Sequence, residues 1–356
     1  MVKMNQTVAQ SNMTASTSNP QVKMDPLMSI TIFIHCIICV LGVVGNGLVI
    51  YVTGFRMKKT VNTIWFLNLA IADFIFTFFL IFNIIYECRN FDWPFGDFMC
   101  KLNSLVTVLN MFSSTFLLAA ISLDRCLSTW VVVWARTKRT VLKVKIFCLL
   151  LWLVSVACSL PLVIFRETNF NAKEQKMKCL NKYPDGLQTY KRLVMFRFVV
   201  GFLLPFIIIF ASYLAIGVRV QRLRNNNKLK PFRIILAVTL AFFFCWLPFY
   251  ILIFIDVRIR EIISTNPPAE LTRFKELLDS IRLFIFSLAY LNSCLNPILY
   301  VFMCEDFKKK LRQSLVMVFE HVFVEEHLAL LSHSQSKRNT HFHTGTEMTN
   351  SLAHES

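Results

Sequence analysis

The sequence predicts an all-α membrane protein: a seven-transmembrane-helix bundle with a short amphipathic eighth helix. Three observations carry that prediction. The chain of 356 residues is 55% hydrophobic and only 17% charged, with a mean hydropathy of +0.55, whereas soluble domains carry roughly 25% charged residues. Phenylalanine is abundant, at 35 residues, and glycine scarce, at 9, which suits helices packed in lipid better than a turn-rich β protein. Seven stretches, roughly 29–53, 62–87, 98–127, 144–165, 193–219, 231–256 and 280–303, reach the about 20 apolar residues needed to cross the hydrocarbon core. They are continuously apolar rather than alternating, which excludes a membrane β-barrel.

The first 28 residues are polar, with no short apolar core or cleavage site, so the first helix is expected to act as its own insertion signal. Sequons at Asn5 and Asn12 make residues 1–28 an expected glycosylated extracellular segment, ahead of the bundle at 29–303. Loop charge gives the orientation. Arg56, Lys58 and Lys59 follow the first span, Arg136, Lys138, Arg139, Lys143 and Lys145 the third, and Arg219, Arg222, Arg224, Lys228, Lys230 and Arg233 the fifth. No acid interrupts these clusters, so they read as cytosolic, while the opposite loops mix signs, as in Glu87, Arg89, Asp92 and Asp97. The formal charge of +17 thus sits beside the spans, where anionic lipids attract it, and does not point to nucleic acid.

Residues 304–323 continue from Asp306 through Lys308, Lys309, Lys310 and Arg312 to Leu315, Phe319 and Phe323, an amphipathic pattern for a helix on the membrane surface. Residues 324–356 form a polar tail, expected to be a disordered cytoplasmic segment, with Ser332, Ser334, Ser336, Thr340, Thr344, Thr346 and Thr349. Of 11 cysteines, most lie inside the spans as small hydrophobes. Cys100, at the start of the third span, and Cys179, in the long loop before the fifth, are expected to pair where disulfides persist. Cys88 is left as a buried free thiol or an intermolecular partner, the first being favoured.

A charge at mid-membrane costs about 2.5–3.5 kcal/mol and asks for a reason. Asp73 falls midway along the second span, with Asn46, Asn110, Ser114, Asn292 and Asn296 in others. Such oxygens can hold a hard monovalent cation, or simply glue helices as a neutral network. Asp124-Arg125-Cys126 ends the third span, where the arginine can equally be a snorkelling side chain. Pro205, Pro248 and Pro297 lie within the fifth, sixth and seventh spans, where a lost backbone hydrogen bond makes a hinge.

Together these residues resemble the rhodopsin-like G-protein-coupled receptors from about residue 29 to 320. The likeness rests on Gly45-Asn46, Asp73, Asp124-Arg125-Cys126, Trp152, Cys245-Trp246-Leu247-Pro248 and Asn296-Pro297-Ile298-Leu299-Tyr300. It implies a sodium pocket at Asp73, Asn110, Ser114, Asn292 and Asn296, with no other metal or cofactor. It implies that Arg125, Tyr213 and Tyr300 rearrange on activation, and that Trp246 and Phe242 transmit the ligand signal. A narrower likeness, in Phe55-Arg56-Met57-Lys58-Lys59-Thr60-Val61-Asn62, Trp93-Pro94-Phe95-Gly96, Ile164-Phe165-Arg166-Glu167-Thr168 and Asn292-Ser293-Cys294-Leu295, is to the chemoattractant-peptide branch. That branch holds the formyl-peptide and chemerin receptors, and residues 65–74 look most like the latter.

The departures bear on function. The N-terminal segment lacks the acidic, tyrosine-bearing character of chemerin receptors, and Val108 stands where formyl-peptide receptors carry an acid. Ile81 and Val132 stand where the branch usually has proline; the second position lies on the G-protein surface. Arg197 is the expected ligand anchor, because a guanidinium clamps a carboxylate bidentately, unless it snorkels to the interface. Arg282 is a weaker second cation, and Thr107, Val108, Trp246 and Tyr290 complete the expected pocket. Thr107 in place of the amine receptors' aspartate argues against an amine ligand, and the absence of lysine from the seventh predicted span excludes a retinal Schiff base.

The sequence is therefore expected to be a plasma-membrane receptor for an extracellular peptide or protein chemoattractant. Its expected partners are an inhibitory-type heterotrimeric G protein, arrestin, receptor kinases and membrane lipids. The alternative is a scavenging or arrestin-biased receptor, favoured by Val132 and opposed by the intact Asp124-Arg125. A transporter would show inverted repeats. A membrane enzyme would need facing catalytic groups, and no Ser/His or paired Asp arrangement is evident inside the spans.

Overall fold

The computed structural model describes residues 26–131, 133, 137–223, 230–265, 269–303, 307–313 and 316. Among them run seven long helices: α1 (Pro26–Tyr51), α2 (Val61–Cys88), α3 (Gly96–Trp130), α4 (Val141–Val163), α5 (Leu187–Leu223), α6 (Lys230–Thr265) and α7 (Ala269–Met303). A short helix, α8, spans 307–313. Six stretches are long and apolar enough to cross a membrane by length and composition. In the seventh helix, residues 283–303 carry no charged side chain.

Each helix begins and bends for local reasons. Thr60 caps α2 reciprocally: the Thr63 N–H donates to Thr60 Oγ1 at 3.3 Å, and the Thr60 N–H to Thr63 Oγ1 at 2.8 Å. Thr140 caps α4, accepting from the Lys143 N–H. Pro248 and Pro297 lie inside α6 and α7, as expected, and Pro161 lies inside α4. In α5, Pro205 follows a π-helical turn at Val199–Leu203. Such a bulge re-aims the side chains before it relative to those after it. Gly201 within that turn lets α5 approach α3 closely, since a Cβ there would meet Met111 Cε at 2.9 Å.

Lipid exposure is written in the side chains. Ile30, Phe33 and Val40 of α1 and Leu142, Leu149 and Leu153 of α4 are all more than half exposed. A soluble protein rarely shows such faces, whereas lipid covers them at no cost. The main core instead gathers Leu69, Met111, Phe112, Leu118, Trp246 and Tyr250 from α2, α3 and α6.

Three expectations need correction. A β-hairpin, β1 (Arg166–Asn171) and β2 (Lys176–Asn181), interrupts the all-α pattern, pairing antiparallel with Thr168 opposite Cys179. The helices also outrun the predicted spans, α5 by beginning at Leu187 and α7 by beginning at Ala269, because a helix continues past the lipid where hydropathy no longer marks it. The added first turns of α7 contain Lys275. Finally, Cys88 is free but exposed, not buried. The Cys100–Cys179 disulfide is present, with Cα atoms 5.7 Å apart, and ties β2 to the start of α3. The sequons at Asn5 and Asn12, Val132 and most of 304–356 lie outside the described residues, as does the side chain of Tyr300.

Candidate functional site

At the disulfide end the helices enclose a cavity of about 570 Å³. The hairpin roofs it. Asp97 Oδ1 accepts from the Thr168 N–H at 2.9 Å, and Asp92 Oδ1 from the Met177 N–H at 3.0 Å. The Asp92 carboxyl is held below its ordinary range first by Arg89 and then by that backbone N–H. All six side chains expected to form the pocket line this one cavity: Thr107 and Val108 from α3, Arg197 from α5, Trp246 from α6, and Arg282 and Tyr290 from α7. The sequence did not mark Arg166, Tyr190, Phe249, Asp256 and Arg260, which line it as well.

Charge in the cavity is lopsided. Among the described residues, four guanidinium groups, on Arg166, Arg197, Arg260 and Arg282, face a single carboxylate, Asp256. Asp256 Oδ2 accepts from Arg260 Nε at 2.7 Å and from the Tyr190 hydroxyl at 2.8 Å, while Oδ1 accepts from Arg282 at 2.9 Å. Arg282 is therefore already engaged by an acid. Arg166 donates to Ser104 Oγ at 2.8 Å and to the Cys179 carbonyl at 3.2 Å. Burial pulls its guanidinium below the usual value, and the like charge of Arg197 pushes the same way. Arg197 has no carboxylate partner among the described residues. Its Nε donates to Met111 Sδ at 3.1 Å, and its guanidinium lies 4.6 Å from the centre of the Phe249 ring.

From Phe249 an aromatic path runs inward. Phe249 meets Trp246 edge-on at 5.4 Å between centroids, and Trp246 lies 5.9 Å from Phe242. Trp246 thus floors the cavity and adjoins the Pro248 kink.

Beneath that path lies the Asp73 cluster. Asp73 is fully buried, and its Oδ2 accepts from Asn296 Nδ2 at 2.7 Å. The Asn110 amide lies between Asp73 Oδ1, at 3.2 Å, and Ser293 Oγ, at 3.0 Å; both are satisfied with its NH₂ toward the carboxylate and its oxygen accepting from Ser293. The Ser114 hydroxyl also donates to the carboxylate. Asn292 is buried and makes no hydrogen bond to Asp73 among the described residues, whereas its neighbour Ser293 reaches Asn110. A residue one position along the helix faces about 100° away, which spacing without a helical wheel does not resolve.

At the opposite end, Asp124 does not pair with its neighbour Arg125. It is clamped bidentately by Arg139, at 2.7 and 2.6 Å. Arg125 donates to Asn62 Oδ1 at 2.6 Å, and Arg139 donates to the same oxygen at 2.9 Å. Tyr213 packs partly buried against the core.

One further correction concerns α1, α2 and α7. A Ser/His/carboxylate arrangement does exist inside the spans. Glu87 Oε2 lies 2.8 Å from His35 Nδ1, and Ser287 Oγ lies 2.8 Å from His35 Nε2. All three are buried, none lines the cavity, and the serine hydroxyl also bonds the Leu283 carbonyl at 3.0 Å. The chain of bonds ties three helices together. Its signal was the one used for Asp73, namely titratable residues inside apolar spans.

Comparison with known proteins agrees with this geometry. The family described as "7 transmembrane receptor (rhodopsin family)" matches residues 45–300. "Chemerin-like receptor 1" of Rattus norvegicus is 38% identical over 78% of this chain and 76% of its own length. The "C3a anaphylatoxin chemotactic receptor" of Oncorhynchus mykiss is 39% identical over 83% of this chain and 80% of its own length. The "fMet-Leu-Phe receptor" of Pongo pygmaeus is 38% identical over 83% and 86%. Their near-equal identity leaves the chain within the chemoattractant branch without favouring the chemerin type. These relatives are receptors, not enzymes, and together with the apolar helices of this chain they indicate a multi-pass plasma-membrane protein. The chain belongs to the rhodopsin family of seven-transmembrane receptors.

Proposed function

We propose that this receptor binds a peptide or protein chemoattractant through a free carboxylate held by Arg197, and passes the signal to an inhibitory-type G protein and to arrestin. The observation that carries this reading is the state of the cavity's arginines. Arg260 and Arg282 share Asp256, whereas Arg197 has no acidic partner among the described residues. A guanidinium removed from bulk water without a counter-charge gains most from a ligand that supplies one. The named ligands of the relatives, chemerin, C3a and formyl-Met-Leu-Phe, are peptides or proteins and support the class.

The ligand end of the bundle is taken as extracellular because it holds the disulfide, and the basic loops then face the cytosol. A carboxylate arriving at Arg197 displaces the guanidinium from Phe249. The ring contacts from Phe249 through Trp246 to Phe242 carry that movement toward the kinks at Pro248 and Pro297. Arg125, Tyr213 and Tyr300 are the side chains proposed to rearrange at the cytosolic end, followed by kinase phosphorylation of the tail.

A sodium ion is proposed beside Asp73 as an allosteric ligand. The carboxylate, the hydroxyls of Ser114 and Ser293, and the buried Asn46 Oδ1, which has no hydrogen-bond partner among the described residues, suit a hard monovalent cation. Bound there, the ion would supply the positive charge that the surrounding amides and hydroxyls lack.

The test is G-protein dissociation in cells expressing the chain, exposed to free-acid C-terminal chemerin peptides and to formylated peptides. A saturable response is expected, and Arg197→Ala should weaken the active peptide at least about thirtyfold. Unchanged affinity would remove Arg197 as the anchor. The second reading, an arrestin-biased or scavenging receptor, is supported by the sequence, which has Val132 where the chemoattractant branch usually has proline. Silence in G-protein dissociation with arrestin recruitment retained, and coupling restored by Val132→Pro, would establish it.

A further inference from the structure

Met111 of α3 is fully buried behind the wall of the ligand cavity and is not part of its lining. Its sulfur accepts from Arg197 Nε of α5 at 3.1 Å and lies 3.4 Å from the Tyr250 hydroxyl of α6. That hydroxyl also lies 3.3 Å from the Arg197 carbonyl, so the three residues close a ring across α3, α5 and α6. The backbone of α5 is shaped around the thioether. The π-helical turn at Val199–Leu203 follows one residue after Arg197, and Gly201 within it leaves room for the Met111 methyl, which a Cβ would meet at 2.9 Å.

We propose that Met111 is the positioning residue that makes Arg197 select a free carboxylate over a neutral amide. A guanidinium offers a carboxylate two edges for a bidentate grip, one formed by Nε with a terminal nitrogen and one by the two terminal nitrogens. The Met111 sulfur takes the Nε–H, which leaves the terminal pair as the edge for the ligand. A carboxylate offers that pair two acceptor oxygens, whereas an amide offers one. The thioether orients the guanidinium without spending its charge, because it is a weak and neutral acceptor. An acid in its place would engage Arg197 as Asp256 engages Arg282, and the ligand would gain less. An aliphatic side chain would leave the Nε–H without this acceptor and the fork loosely held. With Nε tethered, the guanidinium turns about a fixed point when it leaves the Phe249 ring, 4.6 Å away. This role rests on the reading of Arg197 as the ligand anchor.

The experiment uses the full chain in phosphatidylcholine nanodiscs and two minimal probes, N-acetyl-phenylalanine and N-acetyl-phenylalaninamide. Their ring suits a cavity lined by Trp246, Phe249 and Tyr290, and they differ only in the carboxylate. Apparent affinities are read from the rise in Tm with probe concentration. In the parent the acid should bind at least about tenfold more tightly than the amide, since charge-assisted bonds are the stronger ones. Met111→Leu conserves volume and removes the acceptor, so the protein should fold. It should lower the acid-to-amide ratio about threefold, the low end for one lost hydrogen bond, while the amide binds as before. Met111→Gln returns an acceptor on an unbranched side chain and should restore the ratio to within about twofold. Arg197→Ala should abolish the preference altogether. An unchanged ratio in Met111→Leu, an equal weakening of both probes, or no recovery in Met111→Gln would overturn the role of Met111 and leave Arg197 as the anchor. A preference that survives Arg197→Ala, or that the parent never shows, would remove the anchor and this role together.

Discussion

Asp73 and Asp256 are both buried aspartates in transmembrane helices, at 0% and 9% exposure, yet their surroundings are opposite in kind. Asp256 is met by two guanidinium groups and a phenol, so its charge is neutralised by side chains of the protein itself. Asp73 is met by amides and hydroxyls, which solvate a carboxylate without cancelling it. The first arrangement is complete as it stands and fixes α5, α6 and α7 around the cavity. The second leaves one unit of charge for a mobile partner, either a proton or a small cation. A fixed counter-charge makes architecture, whereas its omission makes a site.

The largest expected effect breaks this comparison directly. Asp256→Asn should lower the apparent Tm of the purified receptor by several degrees, because it removes the one carboxylate that Arg260 and Arg282 share beside Arg166 and Arg197. Breaking a buried pair costs about 3–5 kcal/mol. Arg260 is 55% exposed, so solvent screening reduces the expectation to about 2 kcal/mol. Asp73→Asn, by contrast, removes a charge that no basic side chain opposes among the described residues, and should leave Tm in sodium-free buffer unchanged or higher. An equal fall in both variants would mean that Asp73 is neutralised by a group not accounted for.

Sodium sharpens the same contrast. Replacing choline chloride by sodium chloride at ten times the Kd should stabilise the parent by about 1.4 kcal/mol, read as a rise in Tm. Asp73→Asn should abolish the rise, and Asp256→Asn should keep it. Loss of the response in both variants would detach the ion from Asp73. Within the cavity the corresponding pair is Arg197 and Arg282. Arg282→Ala should weaken an active carboxylate peptide less than about tenfold, well short of Arg197→Ala, since Asp256 already engages Arg282. If the order is reversed, Arg282 is the anchor.

The bundle was legible because lipid imposes a length and a continuous apolarity that seven segments of this sequence meet. The pocket side chains were legible one by one, and all six meet in one cavity. Their pairing was not. Asp256 lies at the very end of a predicted span, and only packing brings Arg282, 26 residues away, onto it. Likewise Asp124 takes Arg139 from the following loop rather than its neighbour Arg125, because adjacent residues on a helix point apart. The hairpin escaped because Arg166–Asn171, apart from Phe170, is polar on both faces. Its pairing is set from outside, by the disulfide and by Asp92 and Asp97.

The smallest expected effect comes from a third buried carboxylate, Glu87, which stands between the two extremes. Its partner is a histidine, so the pair is either two opposite charges or two uncharged groups sharing a proton, and the Ser287 hydroxyl closes the chain at the far ring nitrogen. Ser287→Ala removes one hydrogen bond and leaves the His35–Glu87 contact in place. The loss should be about 1 kcal/mol, the usual net value for such a bond. His35→Leu should cost more, because it leaves a buried carboxylate with no partner, and should also release Tyr290, whose ring lies 5.1 Å from the imidazole and lines the ligand cavity. The distinguishing readout is the double variant His35→Leu with Glu87→Gln. If Glu87 is held as a charge by His35, neutralising it recovers most of the loss in Tm. If the pair is neutral in the native bundle, the second substitution recovers nothing, and Glu87 joins Asp73 as a carboxyl group without a fixed counter-charge.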